Sequence, residues 1–216
     1  MMKDYLERML DKENLSRSEA RSAMSAIMEG AVEPALMSAF LVALRMKGET
    51  AQEVTGFAEA MRDKMTPVTP SSRPLVDTCG TGGDLLKTFN ISTAAAFVVA
   101  GAGTAVAKHG NRAVSSKCGS ADVLEALDIR LDLTPRQMAD CIDEVGIGFM
   151  FAPACHAAMK YAAPVRKALG IRTVFNLLGP LANPANAEVQ VLGVFSPDHT
   201  EFHAQVLKNL GSSRAF

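Results

Sequence analysis

The sequence predicts an α/β protein with two parts, a small all-helical N-terminal domain and an α/β domain with a largely parallel sheet. Up to residue 66, apolar residues recur at helical spacing. Beyond residue 74, short apolar runs alternate with helical stretches, which is typical of a parallel sheet. The 216 residues are 48% hydrophobic and 21% charged, so the chain can bury a substantial core. We therefore expect a helical domain at 1–66, a linker at 67–74 and an α/β domain at 75–216.

Helix start signals divide the N-terminal part. Ser16 with Glu19 and Thr50 with Glu53 have the spacing of capping boxes, and Pro34 suits the first position of a helix. The predicted helices are 4–11, 17–29, 34–46 and 51–64.

The linker is rich in Pro and Ser, and strands and helices alternate after it. The expected strands lie near 75–78, 104–107, 147–151 and 189–195. The expected helices lie near 93–102, 121–127, 135–145, 154–169 and 198–210. Pro164 should kink the helix at 154–169.

Three short runs combine features suited to a phosphorylated, metal-chelated ligand: GTGGD at 80–84, NIST at 90–93 and KHGNR at 108–112. Glycines let backbone N–H groups converge on an anion, and a helix N-terminus after the second run would add its dipole. The third run follows a predicted strand, where open α/β sheets bind ligands. Asp84 would repel a bare phosphate, so it indicates a metal-bound diphosphate, a sugar hydroxyl or an orienting role within the loop.

Each feature also has an ordinary explanation. Ser92 or Thr93 could simply cap the following helix. Lys108 and Arg112 could be solvated loop cations, and Arg166 could lie on the wet side of its helix. The combination of the three runs within 33 residues is what favours a ligand site over packing.

These runs, followed by NLLGPLANP at 176–184, occur in an order and approximate spacing that resembles the anthranilate phosphoribosyltransferase family over essentially the whole chain. The resemblance implies a fold like that of the nucleoside phosphorylases and phosphoribosyltransferases. It implies transfer of the phosphoribosyl group of phosphoribosyl pyrophosphate (PRPP) to the amine of anthranilate, in tryptophan biosynthesis, with Mg²⁺ as cofactor. It also implies a cytoplasmic homodimer that assembles through the helical domain.

The resemblance further implies a role for individual positions. Lys108, His109 and Arg166 are the expected catalytic residues, and Ser92 is the expected magnesium ligand. The anthranilate contacts are expected at Gly80, Asn111 and Arg166, the last holding the carboxylate. The residues expected to bind PRPP are Gly80, Gly83, Asp84, Thr88, Asn90, Ile91, Ser92, Thr93, Lys108, His109, Gly110, Asn111, Arg112, Ala113, Val114, Ser115, Ser116 and Ser120.

Members of that family are considerably longer than this chain, and their acidic pair for a second magnesium ion would fall after Phe216. We therefore expect a chain truncated at its C-terminus, with an incomplete α/β domain and doubtful activity of its own.

Two other functions are open to this sequence. A pyrimidine nucleoside phosphorylase would share the fold and the glycine-rich loop, although KHGNR and Arg166 favour an aromatic acid as acceptor. A non-catalytic relative that binds nucleic acid would need a basic face, whereas the net charge is −1. We therefore expect no nucleic-acid partner.

Other patterns point away from a membrane protein and from a disulfide or zinc framework. There is no long apolar run or signal-peptide pattern, so we expect no membrane partner and a cytoplasmic protein. The four cysteines are widely spaced, without a C-x-x-C pair. His199 and His203 have the spacing of a helical metal pair, but Thr200 stands where a zinc protease would have Glu, which favours a plain surface helix.

Overall fold

A computed structural model describes residues 1–82, 89–113 and 118–216 of the chain. The α-helices are α1 (Met2–Leu10), α2 (Arg17–Met28), α3 (Pro34–Lys47), α4 (Ala51–Lys64), α5 (Ile91–Gly101), α6 (Ser120–Ala126), α7 (Pro135–Val145), α8 (Ala152–Cys155), α9 (Ala163–Leu169), α10 (Phe175–Leu178) and α11 (Asp198–Asn209). The strands are β1 (Val76–Gly80), β2 (Val106–Gly110), β3 (Ile147–Phe151), β4 (Val189–Gly193) and β5 (Arg214–Ala215). Short 3₁₀ helices occur at Ala157–Tyr161 and Gly179–Leu181.

Helices α1 to α4 form an N-terminal helical layer whose limits follow their caps. The predicted capping boxes Ser16–Glu19 and Thr50–Glu53 are both present, and Pro34 begins α3. Gly56 allows helices α2 and α4 to pack closely, because any Cβ at that position would meet the carbonyl oxygen of Arg17. The predicted helices of this layer are thus confirmed, with ends that shift by one or two residues.

The strands of the α/β part form a parallel sheet in the order β3-β2-β1-β4-β5, as far as the described residues extend. Val76 in β1 lies opposite Val106 on one side and Val189 on the other. Because the strands run the same way, β1, β2 and β4 present their carboxyl ends at one edge. The predicted architecture, a helical N-terminal domain followed by a parallel α/β domain, is confirmed.

Two strands extend further toward that edge than their apolar runs predicted. The prediction ended the second strand at Ala107, yet β2 continues through Gly110, and β1 likewise continues to Gly80. Lys108 and His109 are therefore buried strand residues and do not lie in a loop after the strand. Pairing of β2 with β3 through Gly110 satisfies their backbone groups and explains the longer strand.

The predicted helix at 154–169 is wrong as a single element. The chain forms α8, a 3₁₀ turn and then α9, in which Pro164 occupies the first turn. Proline has no N–H to donate and clashes with the preceding turn, so the helix restarts at Ala163 where we expected a kink. The predicted helix at 93–102 instead begins at Ile91, with Asn90 at its N-cap.

The largest apolar core joins the helical layer to part of the α/β region. Phe40 and Phe57 meet edge to face at its centre, with ring centroids 6.4 Å apart. Val165 of α9, Phe175 of α10 and Val206 of α11 belong to the same core. The two parts therefore share buried surface beyond the chain connection. No helix formed by the described residues is both long and apolar enough to cross a membrane.

Candidate functional site

Lys108 lies at the sheet edge formed by the carboxyl ends of β1, β2 and β4, which we call the site edge. It is placed there between β1 and the start of α5. Its ammonium donates to the carbonyl oxygen of Thr78 at 2.6 Å and lies 3.5 Å from the hydroxyl of Ser92. The side chain is only 3% exposed, and burial lowers its pKa while Asp77 opposes that shift. An ammonium has three donors, and the described residues occupy two of them, which leaves the third for a ligand oxygen as far as the described chain extends.

The start of α5 lies against that lysine. Thr78 Oγ1 donates to the carbonyl of Ser92 at 2.7 Å, which ties β1 to the first turn of the helix. Ser92 and Thr93 are the second and third helical residues, so neither forms the cap that the alternative explanation required. Thr93 Oγ1 is buried without a hydrogen-bond partner in the described parts of the chain. The N–H groups of Ile91 and Thr93 already donate to the carbonyl oxygens of Phe89 and Asn90, so this turn offers an anion mainly the positive end of the helix dipole.

Asp77 is a fully buried carboxylate directly beneath Lys108. One oxygen accepts the backbone N–H of His109 at 3.2 Å, and the other makes no hydrogen bond of ordinary geometry with any described residue. Burial raises the pKa of Asp77, whereas Asn183 and Lys108 favour its charged form. Asp77 and Lys108 attract each other without a direct ion pair, and each charge opposes the pKa shift that burial causes in the other group.

His109 and His156 form a buried imidazole pair whose ring centroids are 5.0 Å apart. His109 Nδ1 lies 3.2 Å from the carbonyl oxygen of Gly179, so Nδ1 carries the proton and Nε2 keeps a free lone pair. Burial lowers the pKa of His109 to about 3 and also lowers the pKa of His156. Both rings are therefore neutral near pH 7.

The rest of the KHGNR run follows the end of β2. The carbonyl oxygen of Asn111 accepts from Ser120 Oγ at 3.2 Å, and Ala113 N donates to Asp122 at 2.9 Å. A Cβ on Gly110 would meet Ser120 Oγ, so the two segments approach as closely as glycine permits. Arg112 forms hydrogen-bonded ion pairs with Glu125 and lies near Asp122, so its charge is already partly balanced.

The glycine run after β1 begins at a close contact. A Cβ on Gly80 would lie 3.2 Å from the carbonyl oxygen of Gly193 in β4. Gly82 has a φ of +64°, which side chains rarely adopt, so glycine is required there for its conformation.

Arg166 lies in α9 with its guanidinium 5.2 Å from the centroid of the Phe175 ring. Burial lowers its pKa, and in the described structure it has no hydrogen bond or ion pair from its side chain. A partly buried guanidinium without a carboxylate partner is suited to receive one from a ligand. None of its side-chain contacts joins it to Gly80 or Asn111, the other expected acceptor residues.

Part of the expected site lies outside the described residues. This applies to the predicted PRPP contacts Gly83, Asp84, Thr88, Val114, Ser115 and Ser116. Among the described positions, the structure brings together Ser92 and Lys108 in one group and Asn111 and Ser120 in another.

Mg²⁺ fits the group that contains Ser92, as an ion held mainly by the phosphate oxygens of a bound molecule. Within 1–82, 89–113 and 118–216, no three His, Cys, Asp or Glu side chains cluster as a metal site. The hydroxyls of Ser92 and Thr93 offer oxygen ligands at the helix start, and Thr93 Oγ1 is an orphaned buried acceptor. Mg²⁺ prefers oxygen ligands and is often bound through substrate phosphates with few protein groups, so these residues fit it.

The sequence favoured a plain surface helix for His199 and His203, whereas His203 is buried in the structure at 2% exposure. His203 Nδ1 lies 2.9 Å from the carbonyl oxygen of His199, and Phe195 stacks on His199 with ring centroids 4.2 Å apart. These contacts use the histidines for helix packing.

Sequence reasoning missed Asp77, His156 and Arg172 as parts of this region. An acidic residue inside an apolar strand was a usable signal for Asp77. His156 and Arg172 had no such local signal, since their partners His109 and Gly82 are far away in the chain.

Comparison with known proteins gives consistent matches over the whole chain. Residues 72–216 match the a/b domain of the glycosyl transferase family, and residues 3–65 match its helical bundle domain. An anthranilate phosphoribosyltransferase of Moorella thermoacetica is 59% identical over 216 residues, covering 100% of this chain and 64% of the relative.

Solved structures show the same similarity. The crystal structure of an anthranilate phosphoribosyltransferase from Thermus thermophilus has a TM-score of 0.92 at 49% identity and covers 97% of this chain and 64% of that one. The Saccharomyces cerevisiae protein of the same name, in complex with PRPP and Mg, has a TM-score of 0.90 at 28% identity and covers 98% of this chain and 63% of that one. The chain thus spans slightly less than two thirds of the length of these relatives.

Proposed function

This chain belongs to the glycosyl transferase family, and we propose that it carries the PRPP-binding and acceptor-binding residues of an anthranilate phosphoribosyltransferase of tryptophan biosynthesis. The reaction joins the amine of anthranilate to C1 of the ribose of PRPP and releases pyrophosphate. The observation that carries the proposal is the buried Lys108 ammonium, which lies between the end of β1 and the first turn of α5 and uses two of its three donors on described residues. The similarity to relatives of that name supports it.

The diphosphate is the ligand part that best matches this edge. Lys108 provides a fixed positive charge, the N-terminus of α5 adds the positive end of its dipole, and Gly80 and Gly82 permit close approach of the backbone. Preorganised positive groups of this kind stabilise the negative charge that grows on a departing diphosphate. The role of these residues is thus to bind the leaving group and to stabilise it as the bond breaks.

Mg²⁺ is the proposed cofactor, with Ser92 as its protein ligand. When bound, the ion would neutralise diphosphate charge beyond what one lysine can balance. A single hydroxyl is a weak site, so we expect magnesium to bind together with PRPP and not before it.

Arg166 and His109 are the proposed acceptor residues. No carboxylate among the described residues pairs with Arg166, and its guanidinium would hold the carboxylate of anthranilate through two parallel hydrogen bonds. Nε2 of His109 is a buried acceptor without a partner among the described residues, and we assign to it a hydrogen bond from the amine. With a pKa of about 3, this imidazole is a poor base, so its role is to orient the nucleophile.

The bond changes need no covalent enzyme intermediate. The amine nitrogen forms a bond to C1 as the bond from C1 to the diphosphate oxygen breaks, and the diphosphate leaves with the electron pair. The nitrogen then loses a proton to water. Positioning of the two substrates and stabilisation of the developing charges account for the catalysis we propose.

We also propose that the protein is a cytoplasmic homodimer that assembles through residues 1–66. The family resemblance supports both parts of this proposal. Light scattering of the purified chain against a variant with a charge on the exposed side of α3 would test the dimer.

Calorimetry tests the proposed function. PRPP is titrated into the chain with and without Mg²⁺, and into Lys108→Met, which keeps the length of the side chain and removes its charge. We expect magnesium-dependent binding that is weakened about a hundredfold in Lys108→Met, since a charged group is lost from the site. Lys208→Ala, an exposed lysine on α11, is the control and should bind as the unaltered chain does. Absence of PRPP binding to a folded chain would contradict the proposal.

A further inference from the structure

Arg172 connects three separate parts of the molecule. It lies between α9 and α10, and its Nη1 donates to the carbonyl oxygen of Gly82 at 3.2 Å. Its own carbonyl oxygen accepts from Nη1 of Arg45 in α3 at 2.5 Å. Its guanidinium also stacks over Phe195, 4.2 Å from the ring centroid. These three contacts fix the backbone of Arg172, the plane of its guanidinium and one terminal nitrogen, so the side chain is held in one position.

Arg172 binds the carbonyl oxygen of Gly82, which is the last described residue before 83–88. Gly82 has a φ of +64°, and nothing lies within 4 Å of where its Cβ would be, so its backbone conformation is what requires glycine. On the other side, Thr81 N donates to the carbonyl oxygen of Gly193 at 2.9 Å. Because a peptide unit is planar, a hydrogen bond to its oxygen fixes the orientation of the whole unit. The carbonyl group of Gly82 is therefore held in one orientation.

The charge of Arg172 has no structural counterpart. In the described parts of the chain no carboxylate pairs with it, and its Nη2 is buried without a hydrogen-bond partner. Burial lowers its pKa, and the neighbouring cation Arg45 adds to that effect. A partly buried cation near a second cation is costly unless it serves another purpose, such as holding a carbonyl next to an anion site.

We propose that Arg172 is a positioning residue for the segment 80–82 at the end of β1, which it aligns through Gly82 and couples to the helical layer through Arg45. The inference rests on the proposed function, because it concerns the orientation of the Gly82 carbonyl at the edge where the PRPP diphosphate would bind. Arg172 acts through the Gly82 carbonyl without contacting the reacting atoms.

Two measurements on the full chain test this role. In Arg172→Ala, magnesium-dependent PRPP affinity should fall about tenfold, as expected for loss of one charge-assisted hydrogen bond. Arg172→Lys keeps a donor without the stacked planar fork and should recover part of the affinity. Arg45→Ala should show a smaller loss in the same direction. Arg136→Ala, a 92% exposed arginine on α7, is the control and should bind normally.

Hydrogen exchange of the peptide covering 79–90, without ligand, separates this inference from the proposed function. Exchange should be faster in Arg172→Ala than in the unaltered chain and unchanged in Arg136→Ala. If the unaltered chain does not bind PRPP, the proposed function fails while exchange still decides the role of Arg172. Unchanged exchange, or equal PRPP affinity in a folded Arg172→Ala, would overturn the inference.

Discussion

Glu53 in the helical layer and Asp77 in β1 are both fully buried carboxylates, and their surroundings differ. Glu53 accepts hydrogen bonds from Leu15 N, from Lys47 Nζ and from both the N–H and the hydroxyl of Thr50, at 2.8 to 2.9 Å. Asp77 has one hydrogen bond of 3.2 Å and one oxygen without a described partner. The described residues provide hydrogen-bond partners for both oxygens of Glu53 but for only one oxygen of Asp77.

The same contrast holds for the two parts of the molecule. Among the described residues, every buried side-chain nitrogen or oxygen without a partner lies between Asp77 and His203. The helical layer uses its buried polar groups to define the positions of its own loops. In the described α/β part several buried polar groups lack a partner, and those beside Lys108, in Asp77, Thr93 and His109, are the ones for which a ligand can supply the missing bonds.

The largest effect should come from breaking the satisfied pair. Glu53→Gln leaves Lys47, which is 3% exposed, with its charge buried and uncompensated. We expect a loss of about 3–5 kcal/mol in the free energy of unfolding, measured with urea. Glu29→Gln breaks the exposed pair with Lys64 and should cost no more than about 1 kcal/mol. Similar losses in the two variants would show that the buried Lys47–Glu53 pair contributes no more to the free energy of unfolding than an exposed pair does.

A methyl group at Gly110 should be the next largest change. A Cβ there would meet Ser120 Oγ and would lie 2.7 Å from the Phe149 ring. Overpacking of this kind costs about 1–3 kcal/mol of unfolding free energy. Gly101→Ala, where nothing lies within 4 Å, should change stability by less than about 1 kcal/mol in either direction. Equal stability of the two variants would mean that the site edge is loosely packed.

Acid should weaken the α/β part, because all four histidines lie there and none lies in residues 1–66. Burial lowers the pKa of His109 from 6.5 to about 3, so the unfolded chain binds this proton more readily than the folded chain. Its contribution is complete above about pH 6.5 and is lost as the pH falls toward the folded pKa, by about 1.4 kcal/mol per pH unit.

Urea unfolding at about pH 7.5 and about pH 5 measures this loss, which should approach 2 kcal/mol for His109 alone. His109→Gln should remove part of the pH dependence. His156 and His203 have pKa values lowered by burial as well, so a residual dependence of the same sign should remain. Identical pH dependence with and without His109 would contradict the burial of a neutral imidazole.

The smallest effect should come from Asp77→Asn, the counterpart of Glu53→Gln. The amide oxygen can keep the hydrogen bond from His109 N, and loss of the charge relieves the cost of burying it. Lys108 loses some attraction in return. We expect a net change within about 1 kcal/mol in urea unfolding. A loss as large as that of Glu53→Gln would remove the distinction between the two carboxylates.

The sequence predicted the helical layer well because its signals are local. The Ser16–Glu19 and Thr50–Glu53 boxes both form, and Pro34 begins α3. Strand ends were predicted less well. Lys108 and His109 are polar residues of the kind found in loops, and only their pairing with β3 makes them part of a strand. The helix at 154–169 failed for another reason, because Pro164 restarts a helix and does not bend a continuous one.

For the candidate site, the sequence supplied the residue types and the structure supplied their partners. The runs at 80–84, 90–93 and 108–112 predicted a phosphate site, and Lys108 does lie 3.5 Å from Ser92. The pairing of Arg112 with Glu125 and the contact of Arg172 with Gly82 could not be predicted, since the second joins residues 90 positions apart.

By itself, the sequence determined the helix caps, the alternation of strands and helices and the glycine-rich runs, because capping, periodicity and backbone freedom act over a few residues. Only the tertiary structure decided which polar groups are buried and which remain unpaired. The strand order β3-β2-β1-β4-β5 brings Lys108 beside Thr78 and sets the edge on which Asp77 and His109 meet. Burial and pairing depend on contacts between distant segments, and no local pattern encodes them.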